Sequence, residues 1–283
     1  MRYFVTGGTG FLGREVVRQL VDRGDEVVAL ARSPKKADRL PSPVDVVEGD
    51  ITDKASMRDQ MDDVDGVFHI AGWYKVGVDD RKTAEDVNVL GTRNVLELME
   101  ELGITRGVYT STLAVFSDTD GVIPDESYQH EGPHLSLYDR TKHEAHYAVA
   151  EPMIDDGLPL IIVQPGAIYG PDDRGPTWLL WEAYLRGRLA MIPRATGYCW
   201  SHVEDTALAH LQAMDRGIPG ETYIIAGEPR TLVEVFDLVA DIVGRSPPRS
   251  VPPVIFRALS WLVRPIEAVT SLPPQYTSEA LRV

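Results

Sequence analysis

The chain is predicted to be an α/β protein, a doubly wound parallel sheet with a smaller, interleaved C-terminal domain, and three observations carry the prediction. Through the first half, short β-prone apolar runs alternate with segments of helical periodicity, which is the pattern of a parallel sheet covered on both faces. A glycine-rich stretch, Val5-Thr6-Gly7-Gly8-Thr9-Gly10-Phe11-Leu12-Gly13, stands between the first strand and the first helix. After Gln164 the alternation loosens, and proline, glycine and tryptophan cluster from Pro165 to Trp200. Residues 1–165 are therefore assigned to the sheet domain and 166–283 mainly to the smaller domain, with some segments returning to the sheet.

The elements follow in order. Tyr3, Phe4 and Val5 place a strand at Arg2 to Thr6, the glycines break it, and Phe11, Leu12, Val16, Val17, Leu20 and Val21 recur at helical spacing. Further strands are read at Glu26 to Ala31, Val44 to Glu48, Gly66 to Ile70, Gly107 to Thr112 and Leu160 to Gln164, with helices starting at Lys54, Lys82 and Leu137. Right-handed crossovers wind such strands into one sheet whose ligands sit at the strands' carboxyl ends.

Composition narrows the function classes. Of 283 residues, 43% are hydrophobic and 25% charged, ordinary for a soluble globular protein. With 43 Asp plus Glu against 28 Lys plus Arg, a nucleic-acid partner is excluded as the main ligand. Asp62-Asp63-Val64-Asp65 and Asp155-Asp156 point to a strongly solvated surface. The single cysteine, Cys199, allows no internal disulfide and no leader precedes the first strand, so a cytoplasmic location is expected. The apolar run from Val254 to Leu272 is interrupted by Arg257, Arg264 and Glu267 and reads as a packed amphipathic helix rather than a membrane span.

The glycine turn is read as a phosphate seat: glycine lets backbone approach a pyrophosphate closely, and the following helix directs free N–H groups at the anion. Gly7, Thr9, Gly10, Phe11, Leu12 and Gly13 are its candidate residues. Where the second strand ends, an NAD site usually offers a carboxylate to the ribose. Here Arg32, Ser33 and Lys35 suit the 2′-phosphate of NADP, the alternative being a solvated basic loop. Asp50, followed by Ile51, is placed to accept from an adenine amino group, and Ala71-Gly72 lets the next strand end run beside the cofactor. Thr110, Ser111 and Thr112 bring hydroxyls to the same rim, although such residues also end strands for turn reasons. Tyr138 and Lys142 share a helix face at i and i+4, so an ammonium beneath the phenol would favour its ionised form and a proton exchange with a substrate alcohol or ketone.

These motifs, together with Asn88, Pro165-Gly166-Ala167-Ile168-Tyr169-Gly170-Pro171 and His202-Val203-Glu204-Asp205, resemble an extended short-chain dehydrogenase/reductase, closest in look to dihydroflavonol-reductase-like members. The resemblance covers nearly the whole chain. It implies a Rossmann NAD(P)-binding domain, a small-molecule substrate and a homodimer through the helices near Lys82 and Tyr138; with Arg32 at the end of the second strand NADP is the preferred cofactor and NAD also possible, and no metal is expected. It further implies that Tyr138 is the general acid/base, that Lys142 also binds the nicotinamide ribose, that Thr112 holds the reacting oxygen with Ser111 beside it, and that Asn88, Pro165, Gly166 and Ile168 belong to the cofactor site. Nucleotide-sugar epimerases and dehydratases are the competing subgroup. They usually clamp a diphosphate with an asparagine and an arginine where this chain has Ala167 and Tyr198. Trp73, Tyr74, Trp178, Trp181, Tyr184, Tyr198 and Trp200 instead suit an apolar or cyclic substrate, although at least half of them are expected to build the small domain's core. Family members commonly continue beyond the equivalent of Tyr276, so a minimal C-terminal cap and an open pocket are expected.

Overall fold

In the computed structural model, which describes residues 1–267, 270 and 277–281, the chain order is β1 (Arg2–Thr6), α1 (Phe11–Asp22), β2 (Glu26–Ala31), β3 (Asp45–Glu48), α2 (Ala55–Met61), β4 (Gly66–His69), α3 (Arg81–Glu85), α4 (Gly91–Glu101), β5 (Gly107–Thr110), α5 (Leu137–Ala145), α6 (Glu151–Asp155) and β6 (Leu160–Pro165). Then come β7 (Ala167–Tyr169), α7 (Pro176–Leu185), β8 (Met191–Pro193), β9 (Gly197–His202), α8 (Val203–Arg216), β10 (Thr222–Ile225), β11 (Pro229–Thr231), α9 (Leu232–Val243), β12 (Arg249–Val251) and α10 (Pro253–Glu267). Single π turns, Asp86–Leu90 and His146–Ala150, join α3 to α4 and α5 to α6 into two long helices.

Seven parallel strands form the main sheet in the order β10-β6-β5-β4-β1-β2-β3. Central strands are apolar along their length because both faces are covered, as in the fully buried β6, Leu-Ile-Ile-Val-Gln-Pro. Val28, Met57, Leu96, Met99 and Ile162 pack with helices on one face; Val5, Val17, Leu20, Ile161 and Leu211 pack α1 and α8 on the other. The strand order reverses between β1 and β4, so the carboxyl ends of these strands open the crevice that holds ligands in such sheets.

Residues after 166 both build a small lobe and return to the sheet: β10 adds an edge beside β6, in register Thr222↔Ile162, and α8 covers α1. The lobe holds a three-stranded sheet β11-β9-β7, a parallel pair β8-β12, and α7 and α9. Trp181 and Tyr184 pack on Phe236 at 4.9 and 5.2 Å, and Trp200 lies 5.8 Å from Trp181, so these three build the lobe's core rather than a pocket wall.

Some boundaries differ from expectation for local reasons. β5 stops at Thr110 because the Thr112 hydroxyl caps the short turn Leu113–Phe116 by accepting from Ala114 N. The helix expected from Lys82 starts one residue earlier, where the Asp80 carboxylate caps it through Thr83 N. Along α10, Val254, Trp261 and Leu262 are exposed, so the packed helix expected there is covered on a narrow side only. Among the described residues no helix is long and apolar enough to cross a membrane. Leu272 and Tyr276, which figured in the C-terminal expectations, lie outside the described residues.

Candidate active site

Thr6 ends β1, and Gly7 turns the chain at φ 73°. A Cβ at Gly7 would stand 2.6 Å from Ala71 N, and one at Gly13 would stand 2.1 Å from Gly7 O. Both glycines are required by close approach of backbone to backbone. Gly10 starts α1 with no side-chain cap and bonds its N–H to Gly7 O at 2.9 Å. Phe11 and Leu12 pack into the α1 core, and Thr9 is half-buried on the turn. The cradle admits backbone and a ligand phosphate where a side chain would not fit, so these residues fit a dinucleotide pyrophosphate.

Arg32 follows β2 directly and is exposed, as is Lys35. Ser33 stands before the turn Pro34–Lys36 without using its hydroxyl as a cap. Asp50 Oδ1 accepts from both N and Oγ1 of Thr52 at 2.9 Å, which fixes the carboxylate on the turn after β3. Ile51 is buried against Gly91, and its carbonyl takes the Asn94 amide.

At the end of β4, Ala71 packs against Gly7, and Gly72 lies close to Asn88. Asn88 acts here as a backbone clamp. Its Oδ1 accepts from Trp73 N at 2.7 Å, while its Nδ2 donates to Trp73 O at 3.1 Å and to Thr141 Oγ1 at 2.9 Å. Trp73 is correspondingly buried, 5% exposed, and so is part of the frame rather than an open pocket wall. Its indole Nε1 and both amide atoms of buried Gln164 on β6 have no hydrogen-bond partner among the described residues. Sequence reasoning did not single out Gln164, which reads as one more residue of a buried strand.

The chemistry-bearing residues converge at the ends of β5 and α5. The Tyr138 phenol is close enough to Thr112 for that hydroxyl to influence its ionisation, and burial pushes its pKa well above its ordinary value. Lys142 is 4% exposed, and desolvation lowers its pKa to about 7. Lys142 Nζ reaches β5, donating to Tyr109 OH at 3.0 Å and Thr110 O at 2.8 Å. Its four-carbon stem reaches polar acceptors that the shared helix face does not supply. Two hydroxyls leave their expected places. Ser111 is 2% exposed and bonded to His146 Nδ1 at 2.7 Å, so it does not stand free beside Thr112; the Thr110 hydroxyl bonds His210 Nε2 at 2.8 Å, leaving its carbonyl to face Lys142.

Asp139, missed in the sequence, is buried beside Tyr138, its carboxylate accepting from the Ser136 and Ser117 hydroxyls at 2.5 and 3.3 Å. Burial raises its pKa to about 6. The spacing Ser136-x-x-Asp139 ahead of a helix was its visible signal. Glu279 Oε1 accepts from Leu137 N at 2.8 Å, bringing the C-terminal segment against the first residue of α5.

Over this centre the Tyr74 ring lies 4.7 Å from that of Tyr138, and Tyr198 is close enough to Tyr74 to influence its ionisation. Trp178, 39% exposed, lines a neighbouring cavity of about 580 Å³ with Gly170, Pro171, Asp172, Asp173 and Arg174. Pro165 ends β6. Gly166 is needed because a Cβ there would fall 2.0 Å from Cys199 O, where β9 crosses. Ala167 pairs with Trp200, and Ile168 packs onto the α1 side of the sheet. Among the described residues no group of three His, Cys, Asp or Glu side chains is placed to hold a metal ion.

Comparison with known proteins matches this geometry to a family. A "Putative dihydroflavonol 4-reductase" of Synechocystis sp. is 33% identical over 99% of this chain and 84% of its own length. The sterol demethylase protein B of Methylococcus capsulatus is 32% identical over 94% of this chain and 82% of its own. The crystal structure of gox2253 superposes with a TM-score of 0.82 at 30% identity, covering 99% of this chain and 86% of that one. The model of the family described as "NAD dependent epimerase/dehydratase family" matches residues 3–226, from the glycine turn to the returning strand β10. The chain belongs to the NAD dependent epimerase/dehydratase family.

Proposed function

We propose that this enzyme is an NADP(H)-preferring oxidoreductase that interconverts a ketone and a secondary alcohol on an apolar, cyclic compound. The observation that carries the reading is the buried Lys142 donating to the Thr110 carbonyl at the carboxyl end of β5, two residues before Thr112, with the Tyr138 phenol close enough to Thr112 to be influenced by its hydroxyl. The nicotinamide, when bound, supplies or accepts the hydride. Gly7, Gly10 and Gly13 would hold its pyrophosphate, and Arg32 with Ser33 and Lys35 its 2′-phosphate. For reduction, Tyr138 donates its proton to the carbonyl oxygen while Thr112 bonds the same oxygen, and a phenol kept protonated by burial is a ready donor. Lys142 offsets the negative charge that remains on the phenol oxygen. Tyr74 over Tyr138 and the absence of an amide or guanidinium at Ala167 and Tyr198 favour an apolar ring system over a nucleotide diphosphate. Relatives named for dihydroflavonol and sterol chemistry support the same choice.

The test is a carbonyl and alcohol panel with NADPH and NADP, run on the parent and on Tyr138→Phe. The variant should bind NADPH normally while turnover falls by about 10²–10⁴-fold. Turnover at the parent rate would overturn the role of Tyr138. Tight dTDP or UDP binding by calorimetry, with no net NADPH oxidation, would move the assignment to nucleotide-sugar epimerisation or dehydration.

A further inference from the structure

Lys142 is a buried cation without an anion. Among the described residues no carboxylate pairs with it; Nζ rests on the Tyr109 hydroxyl and the Thr110 carbonyl, 4.6 Å from the centre of the Tyr109 ring. The ionisable groups that face it are His69 from β4 and Tyr109 from β5, with Tyr138 four residues before it on α5. His69, fully buried and held well below its ordinary pKa by desolvation and by the Lys142 charge, is neutral and adds no repulsion.

The hydrogen-bond chain behind Tyr109 has a fixed direction. The Thr92 hydroxyl donates to Asn88 O at 2.6 Å, an acceptor within the π turn Asp86–Leu90. Thr92 Oγ1 therefore accepts from His69 Nε2 at 3.0 Å, and the His69 ring stacks on that of Tyr109 at 5.4 Å. With its proton on Nε2, His69 receives the Thr6 hydroxyl at Nδ1, 2.8 Å away, and Thr6 Oγ1 in turn accepts from Ala71 N at 3.2 Å. An ammonium has only donors, so it is a lone pair of the Tyr109 hydroxyl that meets Lys142.

We propose that Tyr109 is a positioning residue that keeps Lys142 at the site as a cation, its phenol oxygen accepting from the ammonium. The proposal rests on the reading of Lys142 given above, but its test does not depend on turnover. Hydrogen bonds to charged groups are among the stronger ones, and the desolvation already holding this lysine near neutrality leaves each remaining acceptor a large share of the compensation.

The chain has six lysines, so protein labelled with ¹³C at lysine Cε gives few signals, and Lys142→Met identifies that of Lys142. In Tyr109→Phe, which keeps the ring and loses the hydroxyl, the Lys142 titration midpoint should fall by about one pH unit. Tyr109→Leu, which also lacks the hydroxyl, should shift it in the same direction. The alkaline limb of the kcat/KM profile should move down in step with the midpoint. An unchanged midpoint in folded Tyr109→Phe overturns the proposal; should that variant not fold, an unchanged midpoint in Tyr109→Leu does so. A fully active Tyr138→Phe would remove the proposed reaction and leave the lysine titration standing as an independent result.

Discussion

Replacing Gly13 by alanine sets two effects of opposite sign against each other. Inside a helix such as α1, alanine is favoured over glycine by about 1 kcal/mol. The new Cβ, however, would lie 2.1 Å from Gly7 O, 2.7 Å from Gly7 C and 2.9 Å from Gly8 Cα. Real Cβ contacts essentially never fall below 3.0 Å, so helix and turn must separate by about 0.9 Å, and all three obstructing atoms are backbone that cannot swing aside. Overpacking of this kind costs about 1–3 kcal/mol, toward the upper end against fixed backbone, so the steric effect wins by about 2 kcal/mol. For a chain of this size that lowers Tm by roughly 4–8 °C. Because the displaced atoms form the phosphate cradle, the NADPH Kd should rise about tenfold or more. Gly10→Ala is the contrast, since its Cβ would meet only Gly7 O, at 3.1 Å. Thermal melts and NADPH fluorescence titrations of both variants decide the matter. Parent-like melting and binding in Gly13→Ala, or a larger loss in Gly10→Ala, would refute the packing argument.

Arg32→Asp should reduce the NADPH-over-NADH preference by about tenfold or more, and an unchanged ratio of Kd values would place the 2′-phosphate elsewhere. Acid should destabilise the fold. His69 and His210 are held neutral by burial, with pKa lowered to about 3 and about 4, so below the unfolded value of 6.5 the unfolded state binds protons that the folded state refuses. From pH 7 to pH 5 each contributes a loss of about 2 kcal/mol. Asp139 acts in the opposite sense: its raised pKa makes the folded state bind a proton between about 6 and the unfolded 3.8, returning about 1–1.5 kcal/mol on the same acidification. Denaturant unfolding should therefore show a net loss of about 2–3 kcal/mol at pH 5, and the Asp139→Asn variant, lacking the compensation, should lose more. Equal stability at the two pH values would show that these histidines are not held neutral.

What was legible in the sequence and what was not separate along the range of the interactions. Strands β1, β2 and β4 to β6 announce themselves as apolar runs because each is buried on both faces, and the amphipathic α1 by its periodicity. Asn88 is a site candidate only through the family resemblance and Trp73 only as one aromatic of the pocket set; that the Asn88 amide clamps the Trp73 backbone fifteen positions away is a tertiary contact no local pattern carries. Ser111 was grouped with Thr112 as a neighbour, whereas adjacent residues of an extended strand point to opposite sides, and His146 takes Ser111. The aromatic residues of the small lobe carry no label distinguishing core from pocket; Trp181 and Tyr184 went inward with Phe236, and Tyr74 went over Tyr138.

By itself, then, the sequence determined the sheet, the glycine turn and the pairing of Tyr138 with Lys142 on one helix, because hydrophobic periodicity, glycine's missing Cβ and the i,i+4 relation are all local properties. Only the tertiary structure decided where the Lys142 charge rests. A buried ammonium goes to whatever acceptors the fold brings within reach, and these are Tyr109 and Thr110 on a strand more than thirty residues earlier, with His69 of a further strand stacked on Tyr109.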